Sequence, residues 1–246
     1  MNVFYGELAP WWPLISPVED YKEESAVILD LLNQWRPAAK SLLELGSGGG
    51  HVAHYLKARF DCTLTDLSPT MLAVSQSLNP ECVHLAGDMR VLDLNATFDI
   101  VFAYDAIDYL CTEQDLGAAM ATAYRHLKLG GLALFVPDHV AERFEADTDW
   151  GGTDGADGRG ARFLEWTENP VPGATTCVTH YSFLLREADG TVWSRAERHP
   201  FGLFPQATWE RLLREAGFRV EVVEEPPNGE HAPRLFFVGH KLALPS

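Results

Sequence analysis

The chain has 246 residues, of which 35 are Asp or Glu and 19 are Lys or Arg, so its formal net charge is −16. This charge argues against nucleic acid and anionic membranes as partners, because both require a basic surface. No apolar run approaches the roughly 18 residues of a membrane-spanning helix. The four cysteines form no C-x-x-C pair, which argues against zinc ribbons and redox motifs. The N-terminus lacks the basic cluster of a signal peptide, so we expect a soluble, cytoplasmic protein.

The first 20 residues are rich in aromatic side chains, including Phe4, Tyr5, Trp11 and Trp12. Two interpretations stay open for this N-terminal strap (residues 1–20). Its aromatic rings could pack on the core, or the segment could be a flap that closes over a ligand. Apolar residues at helical spacing then predict a helix over Glu19–Trp35, which ends before Pro37.

A repeated alternation of strands and helices follows. The predicted strands are 41–45, 61–65, 81–86, 98–104 and 132–136, and the predicted helices are 50–57, 69–78 and 112–127. Gly130 and Gly131 are predicted to end the last of these helices. Continuous apolar strands between amphipathic helices indicate a parallel sheet covered on both faces. Ligands bind such sheets at the carboxyl ends of the strands.

The pattern changes after Pro137, where an insertion begins. Residues 147–160 are rich in Gly and Asp and are predicted to form a mobile loop. Antiparallel strands are predicted at 162–167, 175–186 and 191–199, with a hairpin turn at Asp189 and Gly190. A helix (208–216) and two strands (218–223 and 235–240) complete the chain. We expect one domain over 1–246, with residues 138–205 as a small antiparallel insertion that acts as a substrate lid.

The first predicted strand runs into a glycine-rich turn, Glu44-Leu-Gly-Ser-Gly-Gly-Gly50. Free N–H groups at the start of the following helix favour an anion. The dinucleotide pattern G-x-G-x-x-G does not fit, because His51 occupies the position of its third glycine. The Gly-Lys-Ser/Thr of a P-loop is absent. The pattern that fits is an acidic residue followed by G-x-G-x-G.

Acidic residues stand at the ends of the next strands: Asp66, Asp88 and Asp105. A carboxylate at the position of Asp66 can accept hydrogen bonds from ribose hydroxyls. Asp88 can accept from an exocyclic adenine amine, and Met89 can pack on the adenine face. Each acid alone could be an ordinary helix cap. Together, at the ends of consecutive strands, they favour a nucleoside-binding site.

At this point the chain resembles the class I S-adenosylmethionine-dependent methyltransferases. The motifs that carry the resemblance are L-L-E-L-G-S-G-G-G, L-T-D-L-S-P-T-M-L, A-G-D-M-R, F-D-I-V-F-A-Y-D-A-I-D-Y-L, R-H-L-K-L-G-G-L-A-L-F and L-L-R-E-A-G-F-R-V. The resemblance implies an α/β, Rossmann-like fold: a seven-stranded, mostly parallel sheet with helices on both faces and an antiparallel last strand. D-Y-K-E-E-S, D-L-G-A-A-M-A-T and G-L-F-P-Q-A-T-W-E further resemble the branch with bacterial amino-sugar N,N-dimethyltransferases.

The resemblance implies S-adenosylmethionine as cofactor, with S-adenosylhomocysteine as its product. The glycine turn would line the methionine portion, Glu44 would receive the ammonium group, Asp66 the ribose, and Leu67 would lie against the adenine. Tyr21 and Tyr104 are candidates for the amino-acid end, or else core tyrosines. The implied cofactor-binding residues are Tyr21, Glu44, Gly46, Ser47, Gly48, Gly50, Asp66, Leu67, Met71, Gly87, Asp88, Met89, Tyr104 and Asp105.

The expected acceptor is a small molecule, methylated on an amine or a hydroxyl. An amine must be neutral when it attacks, so a base or a water path is required. Candidate catalytic residues are His139, which follows the fifth strand, and Asp105 and Asp108, which could hold a cationic amine. His139 could equally be a surface histidine of the loop.

No metal is expected at this site. His51 and His54 lie three residues apart on a helix but lack the carboxylate of the helical zinc motif, so they are predicted to lie at the surface. Two other functions stay open: a nicotinamide-dependent oxidoreductase, which His51 and the Gly87-Asp88 pair disfavour, and a non-catalytic S-adenosylmethionine-binding module. The sequence gives no indication of the oligomeric state.

Overall fold

The computed structural model describes residues 3–226 and 233–242. Its α-helices are α1 (Trp12–Ile15), α2 (Lys22–Trp35), α3 (His51–Leu56), α4 (Pro69–Leu78), α5 (Glu113–Arg125) and α6 (Gln206–Glu215). Its strands are β1 (Ser41–Leu45), β2 (Asp61–Asp66), β3 (Val83–Ala86), β4 (Phe98–Ala103), β5 (Leu127–Phe135), β6 (Thr148–Gly151), β7 (Gly160–Thr167), β8 (Thr176–Arg186), β9 (Val192–Gly202), β10 (Arg219–Glu224) and β11 (Leu235–His240). Short 3₁₀ turns occupy Ala9–Trp11, Val18–Tyr21 and Asp105–Tyr109.

Seven strands form one sheet in the order β10-β11-β5-β4-β1-β2-β3. The pairs among β1 to β5 are parallel, and β11 runs antiparallel to both β5 and β10. This is the predicted Rossmann-like sheet with an antiparallel last strand. Because β1 lies between β2 and β4, the carboxyl ends of these three strands meet at one edge of the sheet. No helix within the described ranges is long and apolar enough to cross a bilayer.

Helices cover both faces of this sheet, as predicted. On one face α5 and α6 pack through Leu116, Met120 and Trp209 against strand residues that include Phe135 and Phe237. The opposite face is covered by α2 and α3, whose buried residues join a second core with alternate residues of the same strands. The alternation follows from the two-residue repeat of a strand, which sends successive side chains to opposite faces.

The insertion is a four-stranded antiparallel sheet in the order β6-β7-β8-β9. The predicted strands are confirmed, as is the turn at Gly190, whose φ of +87° suits glycine. The prediction of a mobile loop over residues 147–160 is wrong for Thr148–Gly151. This segment pairs with β7, opposite Phe163–Trp166, and forms β6. The Asp and Gly residues of this segment are typical of a loop, so the sequence did not predict this short edge strand.

The prediction that Gly130 and Gly131 end a helix is wrong as well. Helix α5 ends at Arg125, and the glycine pair lies inside β5. Gly130 has φ +78° and donates its N–H to the carbonyl of Lys241, at 2.8 Å. A Cβ on Gly131 would lie 3.0 Å from the carbonyl oxygen of Asp99. The pair therefore allows an irregularity where β5 passes close to β4.

The N-terminal strap packs on the insertion. Phe4, Leu8 and Trp11 are buried in a cluster with Phe183 and Leu185 of β8. The rings of Phe4 and Phe183 stack with centroids 4.8 Å apart. Of the two interpretations left open, packing is therefore seen, although on the insertion rather than on the main sheet.

Trp209 of α6 provides a test of how the core is built. Its ring is 1% exposed and stacks on Phe237 of β11 at 4.8 Å between centroids. We expect Trp209→Ala to lower the free energy of unfolding by about 3–5 kcal/mol, because it opens a large cavity between α6 and the sheet. Denaturation by urea measures this change. In the matched control, Trp150→Ala, the ring is 73% exposed, so the change should stay within about 0.5 kcal/mol. Equal effects of the two substitutions would contradict this description of the core.

Candidate active site

The glycine turn is held against the end of β2. The N–H groups of Gly46 and Ser47 both donate to the carbonyl of Thr65, at 2.8 and 2.9 Å. Gly46 and Gly48 have φ of +77° and +51°, a region that glycine enters without strain. A Cβ on Gly46 would lie 2.5 Å from the Cβ of Ala106. The glycines therefore let the backbone pass between β2 and the turn after β4.

A cavity of about 430 Å³ opens in front of this turn, at the carboxyl ends of β1, β2 and β4. Most of the predicted cofactor-binding residues line it: Tyr21, Glu44, Gly46, Ser47, Gly48, Asp66, Leu67, Gly87, Asp88, Met89, Tyr104 and Asp105. Two do not. Met71 is fully buried behind Gly48, and Gly50 packs against α4, where a Cβ would lie 2.2 Å from Ser75 Oγ. We call this space the cofactor cavity.

Glu44 is the most deeply buried acid of the cofactor cavity, with 2% of its surface exposed. Its Oε2 atom is buried and has no hydrogen-bond partner among the described residues. Burial, reinforced by the charges of Asp105 and Asp66, raises the pKa of Glu44 to about 8. A buried carboxylate without a cation is costly. The position is therefore suited to a cationic group of a ligand.

Two further acids stand beside Glu44 at the strand ends. Asp66 accepts hydrogen bonds from the N–H groups of Gly48 (2.8 Å) and Ser68 (2.7 Å). Burial raises the pKa of Asp66, and these two bonds counteract the rise. Asp88 forms an ion pair with Arg90 at 2.6 Å, and Arg90 also contacts Asp115 at 3.1 Å. Arg90 was not among the predicted site residues, and it fixes the carboxylate of Asp88 at the cavity rim.

A second cavity, of about 200 Å³, adjoins the first, and the two share Tyr5, Trp12, Tyr21, Asp105 and Tyr109 as lining residues. We call it the acceptor cavity. The three predicted catalytic residues, Asp105, Asp108 and His139, all line it. Aromatic residues of the insertion and the strap complete its wall: Phe4, Phe163, Tyr181, Phe183 and Phe201.

Asp105 stands at the junction of the two cavities. Burial, followed by the charge of Asp138, raises the pKa of Asp105 to about 8. Asp108, 3% exposed, accepts hydrogen bonds from the N–H groups of Asp138 (2.8 Å) and His139 (3.2 Å). Its other oxygen is buried without a partner among the described residues. Asp108 thus fixes the turn that follows β5 and leaves one oxygen atom unsatisfied.

His139 lies between two aromatic rings, edge-on to Phe144 and Phe201 at 5.7 and 5.6 Å between centroids. Burial lowers the pKa of His139, although the charge of Asp138 opposes this. Its imidazole is therefore neutral at pH 7. A histidine of the surface loop, the alternative left open by the sequence, would be fully exposed, whereas His139 is half-buried.

The prediction that His51 lies at the surface is wrong. His51 is 6% exposed and lines the cofactor cavity, and its Nδ1 accepts a hydrogen bond from Trp12 Nε1 at 3.0 Å. Burial lowers the pKa of His51 to about 4, so the ring is neutral. The strap therefore contacts the glycine turn directly: a Cβ on Gly49 would lie 2.6 Å from the Trp12 ring. Helix periodicity could not reveal this partner from another segment.

Both tyrosines predicted for the amino-acid end have polar partners as well as a place in the cavity wall. Tyr21 Oη is 2.9 Å from Ser16 Oγ. The Tyr104 hydroxyl donates to Glu24 and accepts a hydrogen bond from Arg234 at 3.0 Å. Arg234 also pairs with Glu225, at 2.8 Å. These contacts hold Tyr21 and Tyr104 in place in the wall of the cofactor cavity.

The residues present fit a nucleoside that carries an amino-acid chain with a cationic end. Glu44 offers an unpaired buried carboxyl to a cation, and Asp66 stands at the end of β2 for hydroxyl donors. Leu67 is 64% exposed at the cavity rim, where a flat apolar base could cover it. The described residues contain no group of three or more His, Cys, Asp or Glu side chains that could hold a metal ion.

Comparisons with known proteins point to one family. Residues 42–131 match a family described as a methyltransferase domain. A protein of Streptomyces venezuelae, dTDP-3-amino-3,4,6-trideoxy-alpha-D-glucopyranose N,N-dimethyltransferase, is 33% identical over 223 residues. That alignment covers 90% of this chain and 91% of the relative.

Solved structures agree with this. The chain is similar to DesVI of Streptomyces venezuelae, with 29% identity and a TM-score of 0.77, over 89% of this chain and 91% of DesVI. It is also similar to CalS10 from Micromonospora echinaspora, described as a SAM-bound amino pentose methyltransferase, with 26% identity and a TM-score of 0.74. This second match covers 89% of the chain and 90% of CalS10.

The raised pKa of Glu44 gives a test of ligand binding. An ammonium group requires the ionised carboxylate, so we expect S-adenosylhomocysteine to release protons from the protein when it binds below about pH 8. Its affinity should rise as the pH rises towards 8. Calorimetry at pH 7 in two buffers of different ionisation enthalpy measures the released protons. Glu44→Gln should reduce this release and weaken binding about 10- to 100-fold, because a charge-assisted hydrogen bond is lost.

Glu81→Gln is the control for this substitution, since Glu81 is an exposed carboxylate that pairs with Lys57 outside the cavity. It should change neither quantity. Linkage gives a second readout: a folded-state pKa above the unfolded value means that the contribution of Glu44 to ligand-free stability falls as the pH rises from about 4.5 to 8. Glu44→Gln should flatten this slope. The same proton release in both variants would show that Glu44 does not receive the ligand's cation.

Proposed function

The chain belongs to the S-adenosylmethionine-dependent methyltransferases, in the branch with the bacterial amino-sugar N,N-dimethyltransferases, and from this premise we propose that it N-methylates the amine of a small amino sugar. The observation that carries the proposal is the position of Asp105. This half-buried carboxyl lines both the cofactor cavity and the acceptor cavity. An ammonium group bound to it would lie where the two cavities join.

The charge of the acceptor cavity supports an amine over other acceptors. Its lining includes Asp105, Asp108, Asp138 and Glu165, and none of the described lining residues is Lys or Arg. Burial raises the pKa of Glu165 to about 7, the direction also found for Asp105 and Asp108. A cationic amine would stabilise these carboxylates, whereas a carboxylate acceptor would be repelled. A hydroxyl acceptor would bring no positive charge to Asp105, Asp108 and Glu165.

The aromatic wall supports a ring-shaped acceptor. Phe163, Tyr181 and Phe183 of the insertion face the cavity together with Tyr5 of the strap. The rings of Tyr181 and Phe183 are nearly parallel, with an interplanar angle of 4°. Such faces pack against the apolar side of a sugar ring and attract a methylated ammonium group. In this proposal residues 138–205 act as the substrate lid and the strap closes the opposite side.

The residues around the junction do the positioning. The cofactor supplies an electrophilic methyl group when it is bound. Glu44 would hold its ammonium group and Asp66 its ribose, while Asp105 would hold the acceptor amine on the other side of the junction. Correct orientation of two reactants can contribute on the order of 7–11 kcal/mol to lowering the barrier. Asp108 contributes indirectly, because its carboxylate fixes the turn that carries Asp138 and His139.

An assay of methyl transfer tests the proposal. We expect the purified protein to transfer methyl groups to dTDP-3-amino-3,4,6-trideoxy-α-D-glucopyranose, the amino sugar named for the relative from Streptomyces venezuelae, or to a related amino sugar. Mass spectrometry would detect the mono- and dimethylated amines. The matching sugar with a hydroxyl in place of the amine should not react. Asp105→Asn should lower kcat/KM about 10- to 100-fold, because the charged partner of the amine is lost.

Asp30→Asn is the matched control, since Asp30 is exposed on α2 away from both cavities, and its activity should equal that of the wild type. Methylation of the hydroxyl sugar instead of the amine would indicate an O-methyltransferase. Binding of S-adenosylhomocysteine with no transfer to any amine, sugar or phenol would favour the non-catalytic module. Either result would contradict N-methylation.

A further inference from the structure

A chain of hydrogen bonds leaves the acceptor cavity through Tyr109. The Tyr109 hydroxyl lies 2.8 Å from His199 Nδ1, and His199 Nε2 lies 2.8 Å from Glu197 Oε2. His199 is 1% exposed and Glu197 11%. Tyr109 lines both cavities, so one end of the chain faces the place where acceptor and cofactor would meet. Resting on the proposed function, we propose that Tyr109, His199 and Glu197 form the proton relay that deprotonates the acceptor amine.

The direction of the relay follows from its donors and acceptors. Glu197 accepts hydrogen bonds from the backbone N–H groups of Val3 (2.6 Å) and Phe4 (3.0 Å), as an ionised carboxylate does. His199 Nε2 must therefore carry a proton, which it donates to Glu197. In a neutral imidazole Nδ1 is then the acceptor, and it takes the hydrogen bond from the Tyr109 hydroxyl.

The Tyr109 oxygen has two lone pairs that can accept hydrogen bonds. The hydroxyl of Tyr5 lies 2.7 Å away and can donate to one of them. The other remains for an N–H group in the cavity. Burial raises the pKa of Tyr109 above its usual value, so the phenol stays neutral and passes a proton on without becoming an anion.

Each proton that leaves one group of the relay is taken up by the next group. One proton of the acceptor ammonium moves to the Tyr109 oxygen while the original hydroxyl proton moves to His199 Nδ1. The imidazolium that forms is paired with Glu197. The freed lone pair of the amine nitrogen then forms the new N–C bond as the S–C bond of the cofactor breaks and its electron pair goes to sulfur. His199 returns the proton to solvent when the products leave, and the relay is restored for a second methyl transfer.

His139 is less suited to this step. It lines the acceptor cavity, but none of the described residues hydrogen-bonds to its ring nitrogens, and its closest ring neighbours are Phe144 and Phe201. Acids line the same cavity, but among the described residues none accepts a hydrogen bond from the His139 ring. At His199 the carboxylate of Glu197 is in direct contact, as it is in other pairs of a carboxylate and a catalytic histidine.

The titratable groups that face Tyr109 and His199 are Tyr5 of the strap, Asp105, Glu165 of β7, Tyr181 of β8 and Glu197 of β9.

The test is the pH dependence of kcat, with dTDP-3-amino-3,4,6-trideoxy-α-D-glucopyranose or, if it is a poor substrate, the amino sugar that the wild type methylates. His199→Asn keeps an acceptor for Tyr109 but cannot take up a proton. We expect it to lower kcat at least about 100-fold, the usual contribution of a base. The rising limb of its pH profile should move to higher pH, because the amine must then lose its proton unaided. S-adenosylhomocysteine should bind as tightly as to the wild type, which shows that the variant is folded.

Two further variants sharpen this test. Tyr109→Phe should lower kcat to a similar extent, and the double variant should be no slower than the single ones, because both break one pathway. Glu197→Gln should move the rising limb in the opposite direction, to lower pH, because an imidazolium at His199 would lose the carboxylate that pairs with it and the neutral ring would be favoured. A purely structural role for these residues would not give shifts of opposite sign.

His180→Asn is the matched control. His180 pairs with Glu168 on the same insertion, but this pair is exposed and lies outside both cavities. Its kcat and pH profile should equal those of the wild type. An unchanged profile in His199→Asn, with or without a lower kcat, would overturn the relay, and so would a shift produced by His139→Asn instead. If His199→Asn does not fold, Tyr109→Phe decides by the same criteria. No methyl transfer to any amine by the wild type would contradict the proposed function itself.

Discussion

The site is organised by one buried and two half-buried carboxyl groups that lie close together and form no ion pair within the part of the chain that the structure describes. Glu44, Asp66 and Asp105 come to one place because β1, β2 and β4 are parallel neighbours and end at the same edge. Burial raises the pKa of all three, and the charges of neighbouring acids add to the rise at Glu44 and Asp105. Ligands that carry positive charge relieve this unfavourable arrangement, and anionic ones worsen it. The suitability of the site for cationic ligands therefore follows from the topology of the sheet together with the residue type at each strand end.

The second part of the site depends on excluding water. An acid such as Asp108 distinguishes ligands strongly only where the surroundings are poorly polarisable. The main sheet cannot provide this enclosure, because its carboxyl edge is open. The strap and the insertion provide it, by packing Phe4 and Trp11 against β8 and presenting other aromatic rings inward. Polar groups buried in this wall, such as His199, are paired within it.

Much of the fold and of the cofactor cavity could be predicted from the sequence because the signals are local. A glycine turn after a strand, with acids at the following strand ends, places Glu44, Asp66 and Asp105 without knowledge of distant contacts. Residues whose role depends on a partner far along the chain could not be found in this way. His51 is hydrogen-bonded to Trp12, and Tyr109 to His199, which is 90 residues away along the chain. The prediction that Gly130 and Gly131 end a helix was wrong for a similar reason. These glycines are needed because β5 passes close to β4 and to Lys241, which are distant along the chain.

The two cavities are formed by different parts of the chain. The cofactor cavity is built mainly from residues within the contiguous stretch 42–131 that matches the wider family. The acceptor cavity draws mainly on segments at both sides of that stretch, which are joined through Phe4 and through the backbone bonds to Glu197. Under the proposed function, acceptor preference can therefore diverge while the cofactor cavity stays constant, provided that both outer segments change together. A chimaera made to alter specificity needs to exchange strap and insertion as a pair, since a new insertion alone would meet aromatic side chains that fit the old one.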